Sequence, residues 1–552
     1  NSFCTLLGPK SDERQSTKPT DDIGTPMASS TATAASASPT TAPLVVASEH
    51  TGASALVFLP ASHLDAATEA QIKRMVDHPA VQRARVMPDC HKGTGCCVGF
   101  TCALGACVSP AIIGGDIGCG ISALPLPATA RCLSGGKALE KLLATVHAVV
   151  PMGNGAKGDH GADGAAGEVF VDQVLAHADA QLGEFVAAFD AKQKAASADG
   201  DAWSATRPTL DRAWLDQRLR TWELPMMQLC RQAGTLGGGN HFFEVGALDD
   251  DGAHAATSAD LPPGLLIVHS GSRCVGQAVY RYWMRVALRN ARQHDGDGDA
   301  EEANEQLRRP AANDDDEIDA SSAYSAAVAL TDADARGYCA DMVFAQSFAV
   351  FNRARMLTAV ARAANFPLPQ LPAADETAEA DAADDEEVPE DDDPLAAFLR
   401  AGGNQGIVGD DDEADNAEDD ADDDDAAAVV DPSLLVDSTH NYIDFHDWTV
   451  RKGAIRAHRG ERCLIAQNMR DGVWLCEGRG AAEWNMSAPH GTGRVKGRTA
   501  AAARDKKQAE ALLKQFRQEM AGVLTRSVSV DTLDERPSVY RDSGVVAAAM
   551  GD

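Results

Sequence analysis

Apolar and polar positions along the chain follow patterns that predict both strands and helices. Residues 55–60 read Ala-Leu-Val-Phe-Leu-Pro, a short apolar run that predicts a buried strand. Residues 67–76 space their apolar side chains as a helix would, and the Met-Pro-Asp sequence at 87–89 predicts a turn after that helix. From there to about residue 124, short apolar runs alternate with glycines, which predicts buried strands joined by tight loops.

Two patterns in the later part of the chain add a candidate site and a final helix. The apolar run 265–268 ends directly at His269, Ser270 and Gly271, so polar residues follow a predicted core strand. Functional side chains commonly occupy such positions, because a rigid strand fixes where the loop begins. The segment 500–524, rich in Ala, Lys and Gln, predicts a helix.

Composition separates segments that can fold from segments that cannot bury enough apolar surface. Residues 1–47 are rich in Ser, Thr, Ala and Pro and predict a disordered tail. Two acidic low-complexity insertions, 295–319 and 375–431, are predicted to be solvated and disordered, because like charges repel one another. The remainder of 48–552 is long enough for one large domain with a proper core.

The formal net charge of −33 argues at first against a nucleic-acid partner, since phosphate backbones are bound by Lys and Arg. The distribution of the charge changes that conclusion. Segment 295–319 holds 11 acidic and two basic residues, and segment 375–425 holds 24 acidic residues and one basic residue. The rest of the chain is close to neutral, so an RNA partner stays open, with its contacts expected from local clusters of Lys and Arg.

Hydropathy and cysteine content narrow the expected compartment. No stretch approaches the roughly 18 consecutive apolar residues that span a bilayer, so the sequence predicts a soluble chain without a membrane partner. The 13 cysteines are an odd number and include the adjacent pair Cys96 and Cys97. We therefore expect no disulfide framework and a reducing compartment, the cytoplasm or the nucleus.

Five segments join a potential metal ligand to glycines or small polar residues. Imidazole, thiolate and carboxylate groups together suit Mn²⁺, Zn²⁺ or Fe²⁺ better than Mg²⁺, which prefers oxygen ligands. Asp116 and Cys119 are three residues apart, so one loop can bring both to one metal cluster. Any one of these residues alone is more often structural, and their recurrence is what favours a site. The segments are 116–120, 237–241, 269–273, 440–441 and 490–494.

Absent motifs exclude two common ways of handling nucleotides. There is no GxxxxGK[ST] phosphate loop, since the nearest Gly-Lys pair is followed by Ala138. The Lys-x-Asp-Gly sequence of nucleotidyltransferases with a lysine nucleophile is absent as well. Histidine can serve as a covalent nucleophile instead. His490 is the candidate, because Gly491 and Gly493 leave room for a phosphate and Arg494 supplies a cation.

Seven motifs, in order and at plausible spacing over about residues 55–545, resemble the RtcB family of RNA-splicing ligases. The combination is specific, whereas any one motif alone would not be. The resemblance implies a mixed α/β (α+β) fold with a single large RtcB-like catalytic domain at 48–552. The matching segments are 87–93 (MPDCHKG), 114–120 (GGDIGCG), 234–244 (GTLGGGNHFFE), 269–273 (HSGSR), 440–441 (HN), 451–454 (RKGA) and 487–494 (SAPHGTGR).

The resemblance implies a reaction: GTP- and Mn²⁺-dependent joining of an RNA 2′,3′-cyclic phosphate or 3′-phosphate end to a 5′-hydroxyl end. His490 is similar to the histidine that becomes guanylylated in this family. Five positions resemble the ligands of a two-Mn²⁺ site in which the cysteine bridges the ions. These are Asp116, Cys119, His241, His269 and His440.

The resemblance also implies a guanylate pocket, in which Glu244 reads the guanine edge and Tyr540 stacks on the base. The implied GTP-binding residues are Asn240, His241, Phe242, Phe243, Glu244, His440, Asn441, Ala466, Gln467, Asn468, Met469, His490, Gly491, Thr492, Gly493 and Tyr540, and the further motif positions expected near the site are Asp89, Arg273, Lys452 and Arg494.

One segment departs from the family pattern. Residues 466–470 read Ala-Gln-Asn-Met-Arg where the family usually has a Pro-Gly-Ser-Met-Gly phosphate loop. Two alternatives therefore stay open: an RNA 3′-end guanylylating or end-processing enzyme that does not seal, and a catalytically dead RNA-binding scaffold subunit. The scaffold is disfavoured because His490, Asp116 and Cys119 are intact.

The resemblance implies partners in tRNA splicing and RNA repair. The expected substrates are tRNA halves or other cleaved RNA ends. Family members often act with an archease-type activator and, in eukaryotes, within a helicase-containing ligase complex, so both are implied partners here.

Overall fold

The computed structural model describes most of the chain outside its low-complexity segments. The predicted tail at 1–47 is described at 3–7 and 42–47, and the predicted insertions 295–319 and 375–431 lie outside the described residues except at 295 and 429–431. The described ranges are 3–7, 42–48, 50–105, 107–127, 135–153, 164–196, 202–247, 264–295, 328–369 and 429–551.

The strands of the described residues assemble into two six-stranded sheets and two strand pairs. In chain order they are β1 (Phe3–Leu7), β2 (Leu44–Ala47), β3 (Ser54–Val57), β4 (Gln82–His91), β5 (Val98–Ala103), β6 (Gly120–Pro125), β7 (Phe242–Ala247), β8 (Gly264–Ser270), β9 (Val436–Thr439), β10 (Asn441–Asp444), β11 (Thr449–Lys452), β12 (Ala454–Arg456), β13 (Arg462–Asn468), β14 (Gly472–Glu477), β15 (Ser487–Pro489) and β16 (Leu524–Thr525).

The first sheet has the order β16-β1-β7-β8-β6-β9, and the second has the order β10-β11-β5-β4-β3-β2. The antiparallel register of β6, β7 and β8 places Ile121 and Phe242 on either side of His269. The loops at the ends of these strands therefore converge at one edge of the first sheet. The pairs β12-β15 and β13-β14 complete the strand pairing.

Helices cover the sheets and contribute most of the core. All seven residues of β8 are buried. The long helix α8 (Asp332–Ala363) packs against β6 and β8 and against three other helices, α3 (Gly136–Val149), α4 (Gly164–Ala196) and α7 (Cys274–Asp295). In chain order the α-helices are α1 (Ala66–Val76), α2 (Pro110–Ile113), α3 (Gly136–Val149), α4 (Gly164–Ala196), α5 (Arg212–Trp222), α6 (Met226–Gln232), α7 (Cys274–Asp295), α8 (Asp332–Ala363), α9 (Arg498–Ala501), α10 (Lys506–Glu519) and α11 (Ser543–Met550).

The mixed α/β class is confirmed, as are the strand near residue 55 and the helix at 67–76, which the structure gives as β3 and α1. The predicted turn at 87–89 is wrong, because these residues lie inside β4. Pro88 is tolerated there since the pairing of β4 with β5 shifts register between Val86 and His91, where the ladder is interrupted.

Two other segments differ from the sequence predictions. The helix predicted at 500–524 is divided into α9 and α10, because Asp505 caps a new helix by accepting a hydrogen bond from the Gln508 amide at 2.8 Å. The tail expected to be disordered contains β1 and β2, which are short apolar runs that pair with β7 and β3. The prediction rested on the composition of all 47 residues, in which these two short apolar runs are a small part.

Candidate active site

Five side chains from four separate segments meet at the converging ends of β6, β8 and β10. The Cys119 Sγ lies 3.4 Å from His241 Nε2 and 3.2 Å from His269 Nε2. The ligand atoms form two groups, each with all atoms within 4.8 Å of one another, and the thiol belongs to both. The first group is Asp116, Cys119 and His241, and the second is Cys119, His269 and His440. The Cys119 thiol therefore faces both groups of possible metal ligands.

The backbone around this cluster requires glycine at its closest approach. A Cβ atom on Gly271 would lie 2.1 Å from Asp116 Oδ1, so only glycine leaves room for the carboxylate. The His440 amide donates to the Cys119 carbonyl at 2.8 Å, which joins the start of β10 to the loop before β6. The segment that follows His269 and the loop that carries Asp116 are thus packed directly together.

Backbone carbonyls orient two of the imidazole rings. The Nδ1 of His241 lies 3.0 Å from the Leu236 carbonyl, and the Nδ1 of His269 lies 3.0 Å from the Asn240 carbonyl. Each Nδ1 therefore carries the proton, and each Nε2 presents a lone pair to the centre of the cluster. This is the orientation that metal ligation requires.

The electrostatics of the cluster also fit a cation. Burial lowers the pKa of His269 and of His440 well below the usual range, so both rings are neutral and can ligate. Burial opposes ionisation of Asp116, but His241, a hydrogen bond with Cys119 and the charge of Arg273 together outweigh it and hold the pKa of this carboxyl low. Burial raises the pKa of the Cys119 thiol, and a bound cation would reverse that effect by stabilising the thiolate. Neutral imidazoles, a thiol and a carboxylate facing one another form a donor set for a transition-metal ion.

His490 lies beside this cluster and is held by a buried carboxylate. Its ring centroid is 4.7 Å from that of His440. Its Nδ1 is 2.6 Å from Asp89 Oδ2, and the same oxygen accepts a hydrogen bond from the Gly491 amide at 3.3 Å. Asp89 is fully buried within β4, at a position where the sequence pattern predicted a turn. With Nδ1 donating to the carboxylate, Nε2 of His490 keeps its lone pair.

A cavity lies next to His490, and most of the residues expected to bind GTP line it. His91, Ile121, Gly472 and Arg494 also line it, and Arg494 had been expected near the site. The expected GTP-binding residues that line the cavity are Asn240, Phe242, Glu244, Ala466, Gln467, Asn468, Met469, His490, Gly491, Thr492, Gly493 and Tyr540.

Four expected pocket residues lie elsewhere. His241 and His440 belong to the ligand cluster. Phe243 is fully buried in a core cluster, because adjacent residues of a strand face opposite sides of its sheet. Asn441 joins two loops, donating to the Asp116 carbonyl at 3.2 Å and accepting from the Gly453 amide at 2.9 Å.

Glu244 is the buried acid of the cavity wall. Burial raises the pKa of its carboxyl to about 8, and among the described residues Oε1 has no hydrogen-bond partner. A buried acceptor without a partner is costly unless a ligand satisfies it. The wall of the cavity therefore offers a hydrogen-bonding position for N–H donors of a bound base.

The segment that departs from the family pattern forms the turn between β13 and β14. Asn468 donates to the Asp471 carboxylate at 2.8 Å and accepts from the Arg470 amide at 3.0 Å. Gln467 is tied to the opposite wall, since its carbonyl accepts from the Thr492 hydroxyl at 3.0 Å. The polar side chains of this turn are thus engaged with the protein itself.

The remaining expected residues are held around the site. Arg494 donates to Glu535 and to the Tyr540 hydroxyl and lies 5.2 Å over the Tyr540 ring. Arg273 lies against the glycine loop before Asn240, and Lys452 donates to the carbonyl of residue 113 at 2.9 Å.

Sequence patterns missed three buried residues that hold the site together. Arg353 in α8 donates to the Gly118 carbonyl at 2.8 Å and the Ser270 carbonyl at 2.9 Å, joining the two ligand loops. Its neighbour Asn352 fixes the glycine loop at 234–235. Arg541 donates to the carbonyls on both sides of Asp89. The polar pair that directly follows the apolar run 348–351 of α8 was the signal available for the first two.

Comparison with known proteins gives one consistent result. A family model described as tRNA-splicing ligase RtcB matches residues 71–379 and 422–552. RNA-splicing ligase RtcB1 of Escherichia coli is 24% identical over 476 residues, which cover 85% of this chain and 85% of that relative. The tRNA-splicing ligase RtcB of Methanococcus maripaludis is 29% identical over 231 residues, which cover 41% of this chain and 45% of that relative. Among the described helices, none has the length and hydropathy needed to cross a membrane.

Proposed function

The chain belongs to the RtcB family, and we propose that it is a GTP- and Mn²⁺-dependent RNA ligase. It would join a 2′,3′-cyclic phosphate or 3′-phosphate end to a 5′-hydroxyl end through guanylylated His490. The observation that carries the proposal is the position of His490 between the buried Asp89 carboxylate and the ligand cluster that shares Cys119. A nucleophile, a group that orients it and a donor set for cations are all present within one site.

Asp89 determines which nitrogen of His490 reacts. It keeps the proton on Nδ1, so that the Nε2 lone pair can attack the α-phosphorus of GTP. A phosphorus–nitrogen bond forms as the bond to pyrophosphate breaks, and the carboxylate stabilises the cationic ring that results. The aligned imidazole needs no reorientation during this step.

The ligand cluster would hold two Mn²⁺ ions, which supply charge neutralisation at the crowded phosphates when bound. Five residues would ligate them: Asp116, Cys119, His241, His269 and His440. A water molecule first opens a cyclic phosphate to a 3′-phosphate. The RNA 3′-phosphate then takes GMP from His490, and the 5′-hydroxyl attacks that activated phosphate and displaces GMP.

Base recognition is assigned to the cavity wall. Glu244 presents acceptor oxygens to the guanine edge, and Tyr540 offers a ring for stacking. Arg494 lies over that same ring, so its guanidinium and a bound base would compete for or share the aromatic face.

A guanylylating or end-processing enzyme that does not seal is the second candidate. The turn at 466–472 supports it, because Asn468 bonds with its own turn where the family usually has a small phosphate loop. A gel of reaction products with a cyclic-phosphate RNA separates the candidates: joined RNA identifies a ligase, whereas an activated or trimmed 3′ end without joining identifies the alternative.

Self-labelling tests the proposed chemistry itself. The protein incubated with [α-³²P]GTP and Mn²⁺ should become labelled, and His490→Ala should abolish the label. His446→Ala is the control, because this exposed histidine lies outside both ligand groups. Label that survives in His490→Ala would refute the mechanism.

The biological setting follows from the same proposal. Substrates would be tRNA halves or other cleaved RNA ends, and an archease-type activator or a helicase-containing complex would be partners. Free thiols throughout the described chain suit the proposed reducing compartment, the cytoplasm or nucleus.

A further inference from the structure

We infer that α10 and the loop before it form a binding surface for the RNA phosphate backbone, an inference that rests on the proposed function. The segment 494–519 holds eight basic and three acidic residues, in a chain whose net charge is −33. The segment is therefore positively charged, whereas the chain as a whole is negatively charged. The basic residues are Arg494, Lys496, Arg498, Arg504, Lys506, Lys507, Lys514 and Arg517.

Six of these cations are exposed and have no partner through their side chains among the described residues. By contrast, Arg494, which lines the nucleotide cavity, donates a hydrogen bond to the Glu535 carboxylate. Long cationic side chains that are not held by acids remain available to phosphates, which release counterions on binding. The six are Lys496, Arg504, Lys506, Lys507, Lys514 and Arg517.

Packing places this surface on the outer side of the nucleotide cavity. Ala509 and Phe516 of α10 belong to the same hydrophobic cluster as Ile121, Phe242 and Met469, which line the cavity. The last residue of α10, Glu519, accepts a hydrogen bond from the amide of Ser538. Ser538 lies two residues before Tyr540, which lines the cavity. RNA with its 3′ end at His490 would therefore pass within a short distance of α10.

The outward face of α10 fits a polyanion better than a membrane. The exposed positions of α10 carry four cations, Lys506, Lys507, Lys514 and Arg517, against the single acid Glu510, and none of them has a large apolar side chain. A membrane-surface helix would need large apolar residues on that face. Lys507 and Lys514 lie about 10 Å apart along the axis, a span that several backbone phosphates cover.

The test replaces Lys506, Lys507 and Lys514 together with Gln and measures binding of a short single-stranded RNA that ends in a 2′,3′-cyclic phosphate. Affinity should fall about 10-fold, and the slope of log K against log salt should decrease by about 2. Fluorescence anisotropy between about 50 and 200 mM salt measures both quantities. The matched control replaces Lys137, Lys141 and Lys194, which are exposed lysines of α3 and α4, and should bind RNA as the unmodified chain does.

Wild-type affinity and slope in the α10 variant would overturn the inference, and so would equal losses in both variants. GTP self-labelling of the same samples shows that the variant is folded and keeps this test separate from the proposed function. If the chain takes no label but loses RNA affinity only in the α10 variant, the ligase mechanism fails and the surface stands. If it takes label and joins RNA while neither variant loses affinity, the mechanism stands and the surface fails.

Discussion

The ligand cluster and the wall of the nucleotide cavity are adjacent but are built differently. At the cluster, backbone carbonyls orient His241 and His269, and their Nε2 atoms are left to face the shared thiol. At the cavity wall, the side chains of the 466–472 turn form hydrogen bonds with one another. Among the described residues that line the cavity, the one buried acceptor without a hydrogen-bond partner is a carboxyl oxygen of Glu244. The donor atoms of the cluster are thus preorganised for cations, whereas the cavity relies on few positions for its nucleotide.

The largest effect is expected from the thiol that both ligand groups share. Cys119→Ser replaces the thiol that belongs to both groups with a weak hydroxyl ligand, so Mn²⁺ content should fall and self-labelling should drop below detection. Metal analysis of the purified protein and the labelling rate measure the two effects. Cys107→Ser is the control, because this half-buried cysteine lies outside both groups. Unchanged metal content in Cys119→Ser would mean that the thiol bridges nothing.

The next effect concerns the orientation of the nucleophile. Asp89→Asn preserves the shape of the side chain but removes the charge that keeps the proton on Nδ1 of His490. The labelling rate should fall by about 10⁴-fold, as for other carboxylates that orient a reacting histidine. Mn²⁺ content should be unaffected, because Asp89 is outside both ligand groups. A nearly normal rate in this variant would assign Asp89 a purely structural role.

A smaller effect is expected at Glu244, the residue proposed to read the guanine edge. Burial raises the pKa of Glu244 to about 8, so the empty site carries a mostly protonated carboxyl near neutral pH. The N–H donors of guanine favour the carboxylate, so binding releases a proton below about pH 8. GTP affinity should therefore rise about 50-fold from about pH 6 to pH 8 and then level off.

Glu244→Gln provides the comparison for that pH profile. An amide does not titrate, so GTP affinity in this variant should be weaker at pH 8 and nearly independent of pH in that range. Isothermal titration calorimetry at several pH values measures both. A variant that keeps the rising profile would show that another group is responsible.

The smallest effect is expected from the second acidic insertion. Deleting 375–425 should leave self-labelling intact and tighten RNA binding a few-fold at low salt, because 24 acidic residues no longer repel the phosphates. A chain with the same segment changed to Asn and Gln separates charge from length. Loss of labelling on deletion would instead show that the segment supports the catalytic domain.

The structure brings together the five residues that the motifs singled out as ligands, because their segments lie at the ends of β6, β7, β8 and β10. His269 is the clearest case, since β8 is buried throughout and ends just after this histidine. The same reasoning failed at 87–89, where Pro88 suggested a turn although an interrupted ladder accommodates it within β4. Local patterns carry no information on such irregular pairing.

Residues that act through long-range contacts were beyond local patterns as well. Arg353 joins loops more than 80 residues away in sequence, so no spacing rule reveals its partners. Glu244 and Phe243 were both expected in the pocket, yet strand alternation turns only the first toward the cavity. The motif identified the strand, and the alternation of side chains along the strand determines which of them faces the cavity.

The most direct test of the central claim is to locate the GMP adduct. After incubation with GTP and Mn²⁺, proteolysis under mildly basic conditions and mass spectrometry should place the adduct on the peptide that contains His490. The adduct should be lost in acid, as a phosphorus–nitrogen bond is, and absent from His490→Ala. An adduct on a lysine or on another histidine would contradict the account.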